Sequence, residues 1–442
     1  MKKGTLLKRA VLIVLALLLF LSLVGCDGGS EEIFSEEKLL ENAAEEKNDS
    51  LRYAYKYFDR WGLPVFNKSR IKSVEVLFRD NYYKDLPPSR ALAEDALEIF
   101  LNDYYENVDL KSKSDVTAAL IRSYVEAVGD PYSRYRTKEE YDSYKSEMSG
   151  SFVGIGVGVV KSESGDGILI KTVVEGSPAE KSGILPEDVV ISVDGVLVSE
   201  IGYDKALTRV RGKEGTTLTL TLLRSGEEIT VTVTRETVED ESVTYSLENG
   251  IGYVKISSFK ANTDEMFEDA IEYMVKNGAR GIIYDLRSNS GGYLISVEKM
   301  LDRIAPEGIE LVSFSNGYGK PYKSKTKDSL SLPSVVIINE NTASAAELFA
   351  AGMRDLSKMG HFDAKTVGVT SHGKGVMQSS YTMIDGSALT LTVAYYNPPL
   401  GENYDGVGVI PDRTVALDGL SSAQRDAAYK SAAYEEILKM IN

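Results

Sequence analysis

The sequence predicts a multidomain α+β protein with a helical N-terminal module, a small β-rich domain and a larger α/β core. Three observations carry this. Residues 51–148 place apolar side chains at helical spacing. The pattern breaks at Gly150, where "SFVGIGVGVV" opens a series of short β-rich segments spaced by glycine. From Ser242 onward, strand-like and helix-like segments alternate, the pattern of a layered α/β core. A chain of 442 residues has room for about three domains of ordinary size. The expected boundaries are 1–25 for a leader, 26–50 for a tether, 51–149 for the helical module, 150–237 for the β-rich domain and 238–442 for the core.

Composition bounds the function. Hydrophobic residues make up 43% of the chain, enough for packed cores and too many for a disordered protein. The formal net charge is −16, which argues against a nucleic-acid partner, because phosphate binding needs a basic face. Cys26 is the only cysteine, so the fold is expected to hold no internal disulfide, no cysteine metal cluster and no cysteine nucleophile. No metal and no cofactor are expected.

The leader comes first. Lys2, Lys3, Lys8 and Arg9 precede the apolar run Ala10 to Gly25, the layout of a secretory signal. The run is shorter than the roughly 18 apolar residues of a spanning helix. It ends in "LVGC", which resembles a bacterial lipobox. That resemblance implies cleavage before Cys26, lipid on its thiol, and an extracytoplasmic protein held on a membrane, at a periplasmic face or a cell surface. The acidic stretch Asp27 to Ser50 reads as a solvated tether.

In the helical module, Leu92, Leu97, Phe100, Leu101 and Tyr104 fall near one helical face. "SDVTAALIRSYVEAV" repeats the pattern behind a Ser114 cap, and "GDPYSRY" breaks it. Structural support is the expected role, with a homodimer contact as the other role open to these helices.

The β-rich domain reads strand, strand, short helix, strand, helix and hairpin. In "SPAEKSG", Ser177 caps, Pro178 takes the first helical position, Glu180 completes a capping box and Gly183 ends the helix. Asp194-Gly195 and Ser225-Gly226 are the turns. This order resembles a PDZ domain in the permuted arrangement of bacterial proteases. The resemblance places Gly154, Ile155, Gly156 and Val157 in the loop that binds a peptide's terminal carboxylate, with the peptide added as a strand. It implies protein or peptide partners with apolar C-terminal tails. Glu187 departs from the pattern, which has glycine before Asp188.

In the core, "NTASAAELFA" sets Ser344 at the junction of a loop and a helix, one loop beyond the buried strand "SVVIINE". A serine there is commonly an N-cap. It is also well placed as a nucleophile, because the first N–H groups of a helix are unpaired and the helix dipole favours negative charge. Ala345 would give one such N–H. "DLRSNSGG" ends the neighbouring strand, and Gly291 or Gly292 there would give a second; the plainer alternative is a simple helix start. Only two histidines exist to serve as base. His361 lies in a polar connection and is expected in solvent; His372 lies two residues before Lys374. A lysine base must be neutral. Its ordinary pKa of about 10.4 must fall to roughly 7–8, about 4 kcal/mol against the charged form.

Taken together, "GDPYSRY", the PDZ stretch, "DLRSNSGG", "NTASAAE", "SHGKGVMQ" and "GVGVIPD" stand in the order of the C-terminal processing peptidases, or tail-specific proteases, and the chain resembles that family over Leu51 to Asp412. The resemblance implies an α/β core of the crotonase-like, ClpP-like type. It implies Ser344 as nucleophile, Lys374 as general base and Gln378 as the residue that hydrogen-bonds and orients the lysine. The oxyanion hole is implied to be the N–H groups of Gly291 and Ala345, and a PDZ ligand to gate the site. Arg211 is a candidate for that coupling; the plainer reading is a surface arginine at a helix end. The chain departs from the family in a longer connection between Ser344 and Lys374, in Ser290 where proline is frequent, and in His372 where an aromatic is usual. His372 is expected to pack.

Two other readings compete. "SHGK" fits the S-x-x-K of penicillin-binding enzymes, with Ser371 as nucleophile, but no K-T-G follows. If Ser344 is the nucleophile, Ser371→Ala is expected to do little. The second is a catalytically inactive, lipid-anchored PDZ module that only binds peptides.

Overall fold

The computed structural model describes residues 66–442, except 88, 105, 106, 110, 163, 164, 240, 316 and 317. The leader, Cys26 and the tether lie outside the described residues. The chain packs as two compact units.

Of the described residues, the first unit holds those from 66 up to Ser143 together with Glu307–Lys325 and His372–Val409. Its helices are Lys68–Asn81, Ser89–Ile99 continuing into the π-helical turn Phe100–Tyr104, and Lys113–Ala127. The last is capped by Ser112 rather than Ser114: Ser112 has extended backbone, and its side chain accepts the N–H of Asp115 at 3.2 Å. The helices do not close a core by themselves. Ile71, Val74, Phe78, Leu92, Phe100 and Ile121 pack with Leu389, Leu391 and Val393 of the strand Ala388–Asn397. That strand pairs with Arg134–Arg136, Val376–Thr382 and Glu310–Phe314, all antiparallel. The helical segment thus shares its core with strands from late in the chain, and packing divides the molecule differently from a boundary at residue 149.

The second unit holds Tyr144–Pro306, Thr326–Ser371 and Ile410–Asn442. Its β-rich domain is an antiparallel sheet in the order Val157–Lys161, Ile168–Val173, Val189–Val193, Thr217–Arg224 and Glu227–Thr234. The short helix Pro178–Lys181 has the expected Ser177 cap, but the Glu180 carboxylate accepts the N–H of Gly176 at 2.7 Å, one residue short of a capping box. Asp194 and Gly195 have φ of 50° and 75°, as the tight hairpin requires. Glu187, standing where glycine was expected, also takes a left-handed φ of 72°.

The core of this unit is a six-stranded sheet in the order Val243–Glu248, Ile251–Ile256, Gly281–Asp285, Ser334–Ile338, Ala364–Gly368 and Arg413–Thr414. The first pair is antiparallel and the rest parallel. Gly281–Asp285 and Ser334–Ile338 are buried throughout, as central strands covered on both faces must be. On one face Ile283, Val335, Ile337 and Val367 pack against Ala433 and Ile437 of the helix Ser422–Ile441. On the other, Tyr284 meets Phe267 of the helix Thr263–Lys276 and Phe349 of the helix Ala345–Lys358, with ring centroids 5.9 and 5.4 Å away.

Candidate active site

Strands Gly281–Asp285 and Ser334–Ile338 are parallel neighbours, so their carboxyl ends release two loops side by side. The loops are stitched together. Asn339 Oδ1 accepts the N–H of Ser288 at 2.8 Å, Thr342 Oγ1 donates to the Leu286 carbonyl at 2.9 Å, and Ala343 N–H donates to the Asn289 carbonyl at 2.9 Å. Ser344 and Gly291 are thereby brought together: a Cβ on Gly291 would lie 2.8 Å from the Ser344 Cβ and 3.0 Å from the Ala345 nitrogen.

Ser344 begins the helix Ala345–Lys358 with φ 57° and ψ −121°. Ordinary serine caps of this chain look different: Ser112, Ser177 and Ser421 have ψ of 108°, 162° and 164° with negative φ. A β-carbon at positive φ is strained, and such strain gathers at reacting residues. The fully buried Glu347 holds the turn, its Oε2 accepting the Ser344 N–H at 2.8 Å. Its other oxygen accepts the Ser371 hydroxyl at 2.5 Å. Ala345, as the first helical residue, has an N–H with no partner inside the helix.

The expected second donor is differently placed. The Gly291 N–H donates to Asn289 Oδ1 at 2.8 Å, so it is directed into the loop. Asparagine readily bonds the N–H two residues on, and Asn289 is fully buried, with Nδ2 donating to the Ile256 carbonyl. Among the described residues the N–H of exposed Gly292 has no such bond.

Below this loop lies a buried ion pair. Arg287 binds Asp285 through two bonds of 2.8 and 2.7 Å and reaches Asp426 at 3.0 Å, and the Tyr253 hydroxyl donates to Asp285 at 2.6 Å. Burial pushes the Asp285 carboxyl up, but the Arg287 guanidinium outweighs it and holds it below its ordinary value. A polar cleft of about 520 Å³ opens beside this pair on the side of the helix Ser422–Ile441, lined by Lys255, Arg287, Glu340 and Tyr429, without Ser344.

Lys374 belongs to the first unit. Its carbonyl accepts the Tyr396 hydroxyl at 3.0 Å, and the next residue is fixed by Gly375 N–H donating to Asp405 at 3.0 Å. Its ammonium lies 4.7 Å from the centre of the Tyr132 ring, in the "GDPYSRY" turn. Gln378 is not bonded to Lys374. Its Nε2 donates to the Val376 carbonyl at 3.4 Å and Thr392 Oγ1 at 3.3 Å, because the pairing register with Ala388–Asn397 shifts at Met377/Gln378 and sets Gln378 opposite Thr392. Thr392 in turn donates to Asp130, which accepts the Tyr132 N–H. Gln378 thus reaches the turn under the lysine indirectly.

Other expectations fare variously. His372 is exposed rather than packed, and His361 is half-buried rather than solvated, with Nε2 enclosed and unbonded among the described residues. Arg211 is exposed at the end of the helix Tyr203–Val210. The arginine that ties this helix down is Arg235, 6% exposed, which donates to the carbonyls of Arg209, Val210 and Thr217. No pattern in the sequence marked it. In Gly154 to Val157, Ile155 is buried, Gly156 has φ 80°, and Val157 begins the end strand of the sheet.

Ser344 thus stands at the head of a helix beside the Gly291 loop at the carboxyl ends of two parallel strands, and sequence comparison shows the family. The pattern of peptidase family S41 matches residues 250–415 and that of the PDZ domain residues 153–234. A "Probable CtpA-like serine protease" of Staphylococcus haemolyticus (strain JCSC1435) is 34% identical over 355 residues, 79% of this chain and 70% of that protein. A protein of the same description from Staphylococcus aureus (strain N315) is 34% identical over 326 residues, 73% of this chain. The chain spans 64% of the length of that relative. Among solved structures, a photosystem II D1 C-terminal processing protease aligns with 82% of this chain and 97% of its own at 23% identity and a TM-score of 0.46. The chain belongs to peptidase family S41, the C-terminal processing peptidases, and carries a PDZ domain.

Proposed function

We propose that the protein is a serine endopeptidase that cleaves extracytoplasmic proteins with Ser344 as nucleophile and Lys374 as general base. The observation that carries this is the backbone of Ser344, strained at the head of a helix where the ordinary serine caps of the chain are relaxed. Ser344 Oγ attacks a peptide carbonyl while neutral Lys374 takes its proton. The tetrahedral oxyanion rests on the Ala345 N–H and a donor from the Gly291–Gly292 loop. Lys374 returns the proton to the leaving amine, and water then releases the acyl group from Ser344.

Substrates are proteins or peptides whose apolar C-terminal tails bind the PDZ domain. Among the described residues, the end strand Val157–Lys161 offers an unpaired edge for strand addition, and half-buried Val157, Val159, Tyr203 and Leu207 offer apolar contacts beside it. The lipobox at Cys26 supports anchoring at a bacterial membrane surface. The bonded Gly291 N–H supports a resting form, which a PDZ ligand converts by binding the active form more tightly.

The test is cleavage of casein, an unstructured protein, by the full chain and by Ser344→Ala, Lys374→Ala and His372→Ala, each with and without a peptide ending in apolar residues. Loss in the first two variants and activity in the third is expected. An inert parent under both conditions would move the protein to the binding-module class.

A further inference from the structure

Ser371 deserves a role that neither the family motifs nor the proposed chemistry gives it. It is 7% exposed, and its hydroxyl donates at 2.5 Å to Oε1 of Glu347. Oε2 of the same carboxylate accepts the N–H of Ser344. Glu347 is itself fully buried. One carboxylate therefore binds the backbone of the proposed nucleophile and the side chain of a residue three positions before the proposed base.

Charge-assisted bonds to a carboxylate are stronger than neutral ones and more directional. A buried serine that spends its only donor on such a bond is held in one rotamer.

We propose that Ser371 is a positioning residue. Its bond fixes one oxygen of the Glu347 carboxylate whose other oxygen holds the Ser344 backbone, so that the strained turn of the nucleophile is kept in place. The proposal rests on Ser344 and Lys374 being the reacting pair, and it assigns Ser371 no contact with substrate.

The experiment compares the full chain with Ser371→Ala, Ser371→Thr, Ser344→Ala and Lys374→Ala, measuring kcat and KM on fluorescently labelled casein and the Tm of each variant. Ser371→Ala, expected from the sequence alone to do little, is with this bond expected to lower kcat by about 10–100-fold with KM within about twofold, the signature of misplaced reacting groups. Ser371→Thr, which keeps the hydroxyl, is expected to recover most of kcat. Unchanged kcat in Ser371→Ala overturns the proposal. So does a loss that threonine leaves unrepaired while both variants match the parent in Tm, because the hydroxyl bond would then not be the cause. Activity surviving in Ser344→Ala or Lys374→Ala would instead remove the reacting pair, whatever Ser371→Ala does. A loss in Ser371→Ala as complete as in a nucleophile deletion, with Ser344→Ala active, would make Ser371 the nucleophile and contradict both.

Discussion

The Glu347 carboxylate accepts the backbone N–H of Ser344 at 2.8 Å, from within the helix that Ser344 begins. This bond satisfies a helix-end donor and pins a serine whose φ is 57°. Glu347→Ala leaves that N–H without its acceptor. It is expected to cost about 2 kcal/mol of stability and to lower kcat at least tenfold. Glu347→Gln, which keeps an acceptor oxygen, is expected to retain most of the stability. Denaturant unfolding alongside casein turnover checks both; equal stability of the alanine and parent proteins would speak against the bond's importance.

Gly291 has no room for a side chain. With φ at 100° and a Cβ that would lie 2.8 Å from both the Ala343 carbonyl oxygen and the Ser344 Cβ, Gly291→Ala must push the Ser344 turn away. Loss of about 100-fold or more in kcat is expected, similar to the removal of an oxyanion donor. A near-normal kcat in this variant would mean that the loop does not support the reacting serine.

The Asp285–Arg287 pair ties stability to pH. The folded carboxyl titrates below its unfolded value, so its contribution is present above about pH 4 and is lost as pH falls through the folded value. Asp285→Asn should lower stability at pH 7 by about 3 kcal/mol, since it leaves a buried guanidinium short of a partner. It should also flatten the fall in stability under acid. Urea unfolding at pH 7 and at pH 3 measures this; an equal loss at both values would contradict the assignment.

Carboxylate recognition by the PDZ loop makes a further prediction. A peptide ending in apolar residues should bind at least about tenfold more weakly when its C-terminus is amidated, because the amide removes the charge that the Gly154–Val157 backbone is expected to meet. Fluorescence anisotropy of the two labelled peptides decides it. Equal affinity would place recognition in the side-chain contacts alone.

Much of this arrangement was legible in the sequence, and the gaps have physical causes. The strand-loop-helix around Ser344, the PDZ strand order and the glycine turns rest on local patterns, and these hold. The cap at Ser112 instead of Ser114 is a choice between two neighbouring serines that periodicity does not resolve. The shared core of Phe78 with Leu391 joins residues far apart in the chain, which no local pattern reports. Gln378 misses Lys374 because of a register shift, and registers depend on both strands. The capture of the Gly291 N–H by Asn289 did have a signal: asparagine two residues before a glycine commonly forms this turn. Ser371 was visible only as a rival nucleophile, since its acceptor is 24 residues away on another element.

The most direct measurement is covalent labelling of the full chain by a fluorophosphonate, read by mass spectrometry of the modified peptide, in the parent, Ser344→Ala and Lys374→Ala. A serine activated by a lysine base should carry the adduct on Ser344 in the parent and lose it in both variants. An adduct on Ser371, or labelling of Ser344 at the parental rate without Lys374, would contradict the proposed pair.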